Sequence, residues 1–319
     1  MTPEPATSPT FYFVGVTTGS SSIMQVFPAW AEHLGLDARI TGIDLPLDDE
    51  PAHYREVVSF LKEDPLSLGA LVTSHKLNLY KASRDLFDEV APDTELLEEV
   101  SSISKRGALL CGHAMDPITC GLSLEAVTGE GYFGRTGAEL LLLGAGGSSL
   151  ALTLYLHRRA VAGLDVPSRV VVTNRRPGRL DEMREIHRKL GIAVPVEYHL
   201  APTPELNDAQ LAGLAPGSVV ANATGLGKDR PGSPLTSAAV FPERATAWDF
   251  NYRGDLVFLD QARSQPNERE VRVVDGWAYF IHGWTRVIAQ VFDIDIPTAG
   301  PEFEDLSRIA REVVSGVAR

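Results

Sequence analysis

Cysteine is scarce: Cys111 and Cys120 are the only two in 319 residues. That excludes a disulfide framework, and a chain of this length can bury a core large enough to fold without one. His113 lies near both, but a structural zinc needs about four ligands, usually in paired short spacings, and no second pair exists. The expectation is two ordinary thiols, no metal and a reducing compartment, the cytoplasm. Long apolar runs are also missing; none approaches the ~20 residues of a membrane helix. Met1 to Pro9 lacks a charged start followed by an apolar stretch, so it reads as a short disordered lead-in and not as a secretory signal. Basic residues are in deficit, 29 against 42 acidic ones, for a formal charge of −13. A general nucleic-acid binder is thereby excluded, whereas a local cationic pocket for a small anion is not.

What is present is an ordinary globular balance, 44% hydrophobic and 22% charged, at a length that suggests about two domains. Short apolar segments at Phe11–Val16, Ala38–Asp44 and Leu68–Val72 read as strands. They alternate with helical spacing at Met24–Leu34, Tyr54–Glu63 and Leu77–Val90. The first ~115 residues therefore read as a parallel α/β layer. From Leu140 a second series begins, with buried-type strands at Leu140–Leu143, Val170–Val172, Ser218–Ala221, Ala245–Asp249 and Val271–Val274. Two helices, Trp277–Phe292 and Phe303–Val317, close the chain. The expected division is a domain over 1–120, joined by 277–319, and a second over 121–276.

The second series opens on its most specific signal. Leu140–Leu143 runs straight into Gly144-Ala145-Gly146-Gly147-Ser148-Ser149 and then a helix. Glycines there let the backbone turn tightly and approach a pyrophosphate, and the helix start offers free N–H groups. The next strand ends in Asn174-Arg175-Arg176. An NAD site usually has a carboxylate at that place for the ribose hydroxyls. Two guanidinium groups suit a phosphate instead, so the cofactor expected is NADP.

With these residues in view, the chain resembles the shikimate/quinate dehydrogenase family over nearly its whole length. The matches are Lys76 in Val72-Thr73-Ser74-His75-Lys76, Asp116 in Gly112-His113-Ala114-Met115-Asp116, the Gly144–Gly147 turn, Asn174-Arg175, Asn222-Ala223-Thr224-Gly225, and Tyr252 after Asp249. The resemblance implies an α/β fold with an N-terminal substrate domain, a Rossmann-type NAD(P)-binding domain and C-terminal helices returning to the first. It implies a catalytic pair, Lys76 and Asp116, and a substrate set drawn from Ser20, Ser21, Ser22, Thr73, Ser101, Tyr252 and His282. The cofactor set it implies is Gly144, Ala145, Gly146, Gly147, Ser148, Asn174, Arg175, Arg176, Asn222, Ala223, Thr224 and Gly225.

The departures are as specific as the matches. The family's Ser-x-Ser, which grips the substrate carboxylate, aligns with Ser21 and Ile23, or in a shifted register with Ser20 and Ser22. The Lys turn lacks the family's Asn and Pro, the Asn-Thr before the Asp has become Ala114-Met115, and a late Gln has become Gly283. A site that hydrogen-bonds a substrate hydroxyl rejects analogues that leave its groups unpaired, so replacing these groups changes the substrate. The expected activity is an NADP-dependent interconversion of a ring alcohol and ketone on a shikimate-like or other cyclic polyol acid, though not on shikimate itself. Lys76 would serve as proton donor in the reductive direction, with Asp116 orienting it. The alternative is a regulatory protein that binds NADP or a ring acid without turnover. A small cyclic molecule is the expected partner, without nucleic acid or membrane, and the chain is expected as a monomer or homodimer.

Overall fold

The protein is described here by a computed structural model covering residues 3–228 and 230–316. Met1 and Thr2 of the expected lead-in, and Val317 at the expected end of the last helix, lie outside the described residues. The chain forms two α/β units, one built from the residues up to Met115 together with those from Gly283 onward, the other from Asp116 to His282.

The first unit holds a six-stranded sheet in the order β2-β1-β3-β5-β6-β4. Its strands are β1 (Thr10–Gly15), β2 (Arg39–Asp44), β3 (Ser67–Val72), β4 (Glu89–Val90), β5 (Ser102–Arg106) and β6 (Leu109–His113). Its helices are α1 (Ile23–Leu34), α2 (Pro51–Glu63), α3 (Lys76–Ser83) and α4 (Pro92–Leu97). Alternation along β1 divides the core. Tyr12 and Val14 join Val57, Leu61 and Leu79 on one face, while Phe11 and Phe13 meet the Trp284 ring on the other.

Three sequence expectations for this unit need correction. The sheet is mixed rather than parallel, because β5 runs antiparallel to both β3 and β6. β5 and β6 form a hairpin whose two-residue turn, Gly107-Ala108, has Gly107 at φ +62°. Its alternation was hidden because Ser102 and Ser104, which point inward, are polar. The helix expected over Leu77–Val90 stops at Ser83, whose hydroxyl donates to the Leu79 carbonyl at 2.5 Å. The chain then reaches the sheet edge, where Asp88 N–H donates to Leu110 O and its carboxylate accepts from Leu110 N–H at 2.8 Å. The lead-in is tied down at Ala6, whose N–H donates to Asp64 Oδ2 at 2.7 Å.

The second unit carries an all-parallel sheet in the order β12-β11-β10-β7-β8-β9. Its strands are β7 (Leu140–Leu143), β8 (Val170–Asn174), β9 (Val196–Leu200), β10 (Val219–Asn222), β11 (Thr246–Asp249) and β12 (Arg272–Val274). Its helices are α5 (Asp116–Thr128), α6 (Tyr132–Thr136), α7 (Gly147–Val161), α8 (Pro177–Leu190), α9 (Pro204–Ala212) and α10 (Val257–Arg263). The strand order reverses between β7 and β10, the switch point at which such sheets bind ligands. All four leucines of β7 are fully buried, with Leu140 and Leu142 in the core on one face and Leu141 and Leu143 in the core on the other. α11 (Trp277–Phe292) begins in this unit and ends in the first, where α12 (Pro301–Val314) follows.

Candidate functional site

The switch point of the second unit is built by the β7–α7 turn. Gly144 lies at φ +106°, and a Cβ there would stand 3.0 Å from the Ala223 carbonyl oxygen, so only glycine fits between the β7 and β10 turns. Ser149, fully buried, closes the turn by donating from its hydroxyl to Gly144 O at 2.6 Å. Gly146 caps α7, and nothing lies within 4 Å of where its Cβ would be. The helix start thus presents an uncovered backbone face, the arrangement that accepts a phosphate.

Asn174 links this turn to the next strand end. Its Oδ1 accepts from Ala145 N–H at 3.4 Å, and its Nδ2 donates to Arg176 O at 2.9 Å. Arg175 and Arg176 are exposed, and among the described residues neither guanidinium is paired with a carboxylate. A glycine cradle, an uncovered helix start and two available guanidinium groups fit a dinucleotide carrying an extra phosphate.

The Asn222–Gly225 turn is braced from within. Asn222 is fully buried; its Oδ1 accepts from Thr224 N–H and Oγ1–H, and its Nδ2 donates to Leu226 O and to Asp249 Oδ2. Asp249 also accepts two hydrogen bonds from Asn251 at Oδ1. Burial nonetheless dominates and pushes its carboxyl up to about 6. Tyr252 is half-buried, with its ring 4.7 Å from Phe280 and 5.6 Å from Trp277.

Asp116 opens α5 directly before Pro117, where a carboxylate suits the helix start. In the same unit burial, reinforced by Cys120 and Asp116, pushes the Tyr279 hydroxyl well above the ordinary phenol range. The N-terminal parts of α5 and α7 meet, Cys120 Sγ donating to Ser148 O at 3.7 Å. His282 is buried at the point where α11 leaves this unit.

In the first unit, Thr73, Lys76 and Ser101 gather at the end of β3. Thr73 N–H and Oγ1–H both donate to Val14 O, and its own carbonyl accepts from Lys76 N–H at 3.4 Å. Lys76, half-buried, is the first residue of α3, and its carbonyl accepts from Val100 N–H. Ser101 stitches β3 to the end of β6: its carbonyl accepts from Val72 N–H and its Oγ from Met115 N–H at 2.7 Å. The serine loop lies after β1. Ser20 Oγ–H turns back to Thr17 O at 2.9 Å, Ser21 is partly exposed, and Ser22 directly precedes α1.

No family model matches the chain. Among curated proteins it is similar to the shikimate dehydrogenase (NADP(+)) of Symbiobacterium thermophilum, 27% identical over 251 residues, 78% of this chain and 76% of the relative. The enzyme of the same description from Lactococcus lactis subsp. cremoris is 28% identical over 184 residues, 57% of this chain. That match spans only 60% of the Lactococcus protein. A crystal structure of shikimate dehydrogenase in complex with NADP+ shares the fold, with TM-score 0.72 and 18% identity over 100% of this chain and 99% of the other. In sequence the chain is thus similar to shikimate dehydrogenases, and in fold to their solved structures, as the sequence resemblance implied.

Ile23 is fully buried in the core, so it presents nothing where the resemblance sets a second serine. Three residues escaped the sequence reading. Tyr279 read as core packing because it sits in an aromatic run, and Asp249 as the plain end of a strand. Asp44 gave no signal until the fold set it beside Thr18, whose N–H and Oγ1–H both donate to Asp44 Oδ1, at 2.8 and 2.6 Å.

Proposed function

We propose that the chain is an NADP-dependent oxidoreductase that interconverts an alcohol and a ketone on a polyhydroxylated ring other than shikimate. The observation that carries this reading is the Gly144–Gly147 turn opening α7, tied through Asn174 to two available arginines at the end of β8. Gly144, Gly146 and Gly147 would hold the pyrophosphate, Arg175 and Arg176 the additional phosphate, and the Ala223–Gly225 turn the neighbouring edge. Bound NADP supplies the hydride acceptor in oxidation and, reduced, the donor in the reverse direction.

The first unit would bind the substrate, with Thr73, Ser21 and Ser101 around the Lys76 turn. Lys76 gives a proton to the carbonyl oxygen during reduction and takes it back during oxidation, and Asp116 is the carboxylate that orients it. A lysine ammonium polarises a carbonyl oxygen as well as protonating it, which suits it to the reductive direction. Two thiols without a disulfide fit a reducing compartment such as the cytoplasm.

The test is a titration of the purified protein with NADP and NAD, followed by reduced-nicotinamide absorbance over a panel of ring alcohols. The panel holds shikimate, quinate, their aminated analogues and unsubstituted cyclitols. Tighter binding of NADP with turnover on a ring other than shikimate is expected. Preference for NAD, or NADP binding with no turnover on any ring, would reject the reading, and the latter result would favour a regulatory protein.

A further inference from the structure

We infer that the substrate is a neutral polyol or hydroxyketone, not a ring acid, and that Asp44 is the residue that selects it. This rests on the oxidoreductase reading and replaces the sequence expectation of a carboxylate substrate. The parallel strands β2, β1 and β3 end side by side, with Gly15 in register with Asp44. A Cβ on Gly15 would lie 3.1 Å from both Thr18 and Thr73, so the Asp44–Thr18 pair borders the turn that carries Lys76. Thr18 is buried and fixes Asp44 Oδ1 through two part-buried hydrogen bonds, while Asp44 as a residue is exposed. Among the described residues its Oδ2 receives no protein donor. It remains a charged acceptor, which suits a hydroxyl and repels a carboxylate.

The surrounding charges agree. Residues 16–22, between β1 and α1, carry none. The loop from β2 to α2 adds Asp48, Asp49 and Glu50 and no base. Asn78 donates to Asp48 Oδ1 at 3.2 Å, which holds that acidic loop against α3, the helix that Lys76 begins. His53 bonds Asp49 and keeps its carboxyl below the ordinary range, so it stays ionised. Arg55, on α2, is engaged by Asp85. Lys76 is thus the one arginine or lysine at these three strand ends, and the mechanism already uses it. Ser20 spends its hydroxyl on Thr17 O, and Ile23 is in the core. Carboxylate recognition calls for a cation or several convergent donors; apart from serine and threonine hydroxyls, these loops offer carboxylates instead.

The experiment compares matched pairs on the full-length protein with NADP: shikimate against its methyl ester, and quinate against its methyl ester, beside carboxyl-free cyclitols. The neutral member of each pair should show kcat/KM at least tenfold above the acid. Asp44→Asn, which turns the free acceptor into a donor, should shrink that preference at least tenfold while leaving NADP affinity unchanged. Thr18→Val, which loosens Asp44 without removing it, should shrink it part-way and serves if Asp44→Asn does not fold. An acid preferred over its ester in the wild type, or a preference untouched by either variant, overturns the inference. Bound NADP with no turnover on any compound overturns instead the dehydrogenase reading beneath it.

Discussion

At the scale of single residues, Tyr54 ties two segments together beside Lys76. Its hydroxyl accepts from Asp49 N–H at 3.2 Å and shares a hydrogen bond with Nδ1 of the buried His75 at 3.2 Å. Tyr54→Phe leaves that ring nitrogen without its partner and should cost about 1–3 kcal/mol in urea unfolding; an unchanged midpoint would show that the pair carries no stability. Arg175 and Arg176 give a second prediction. Replacing both by Ala should raise KM for NADP by about 10–100-fold and leave KM for NAD nearly unchanged, the loss of one or two charge-assisted contacts. Equal losses for both cofactors would remove the arginines from the phosphate. Lys76, the glycines and these arginines could be read in the sequence because their chemistry is local to a short segment. Asp44 and Tyr279 could not, since their meaning comes from partners 26 residues away for Asp44 and in other helices for Tyr279.

At the scale of elements, α5 and α7 approach most tightly at Gly121. A Cβ on Gly121 would sit 2.3 Å from the Tyr155 ring. That ring cannot easily yield, because its hydroxyl donates to Glu125 Oε1 at 2.6 Å and Arg159 also binds Glu125. Gly121→Ala should therefore destabilise by about 1–3 kcal/mol despite the better helix propensity of alanine, as overpacking does. Urea unfolding checks this, and a stabilised variant would show that the helices can part without cost. Elements with strong apolar patterns, β7 above all, were legible because every side chain of the segment is buried. The β5–β6 hairpin was not, since its inward positions carry Ser102 and Ser104. β9 was missed because only Val196 and Tyr198 of this edge strand pack against the core, and both are only half-buried.

At the scale of the whole molecule, two buried groups set opposing responses to pH. His187, held between Thr153 and Tyr198, is pushed down to about 4 by burial. The unfolded chain then binds the extra proton between about 4 and 6.5, so this contribution to stability is lost as pH falls through that window. Asp249 is pushed up to about 6, so the folded chain holds the proton, and its contribution is lost as pH rises from about 4 through 6. Each amounts to about 3 kcal/mol at most, and they offset one another in the native protein. Asp249→Asn should therefore make stability rise more steeply with pH between 4 and 6.5, and His187→Gln should make it fall over the same range. Thermal unfolding across pH 4.5 to 7.5 reads both slopes, and parallel curves for the two variants would refute the assignment. The proposed NADP-linked chemistry stands on Lys76. Its most direct test is the rate of reduced-nicotinamide formation by the wild type and Lys76→Ala on the best ring alcohol, with NADP affinity measured alongside. Equal affinity and a rate lower by about 10²–10⁴-fold in the variant are expected; equal rates would remove Lys76 from the chemistry.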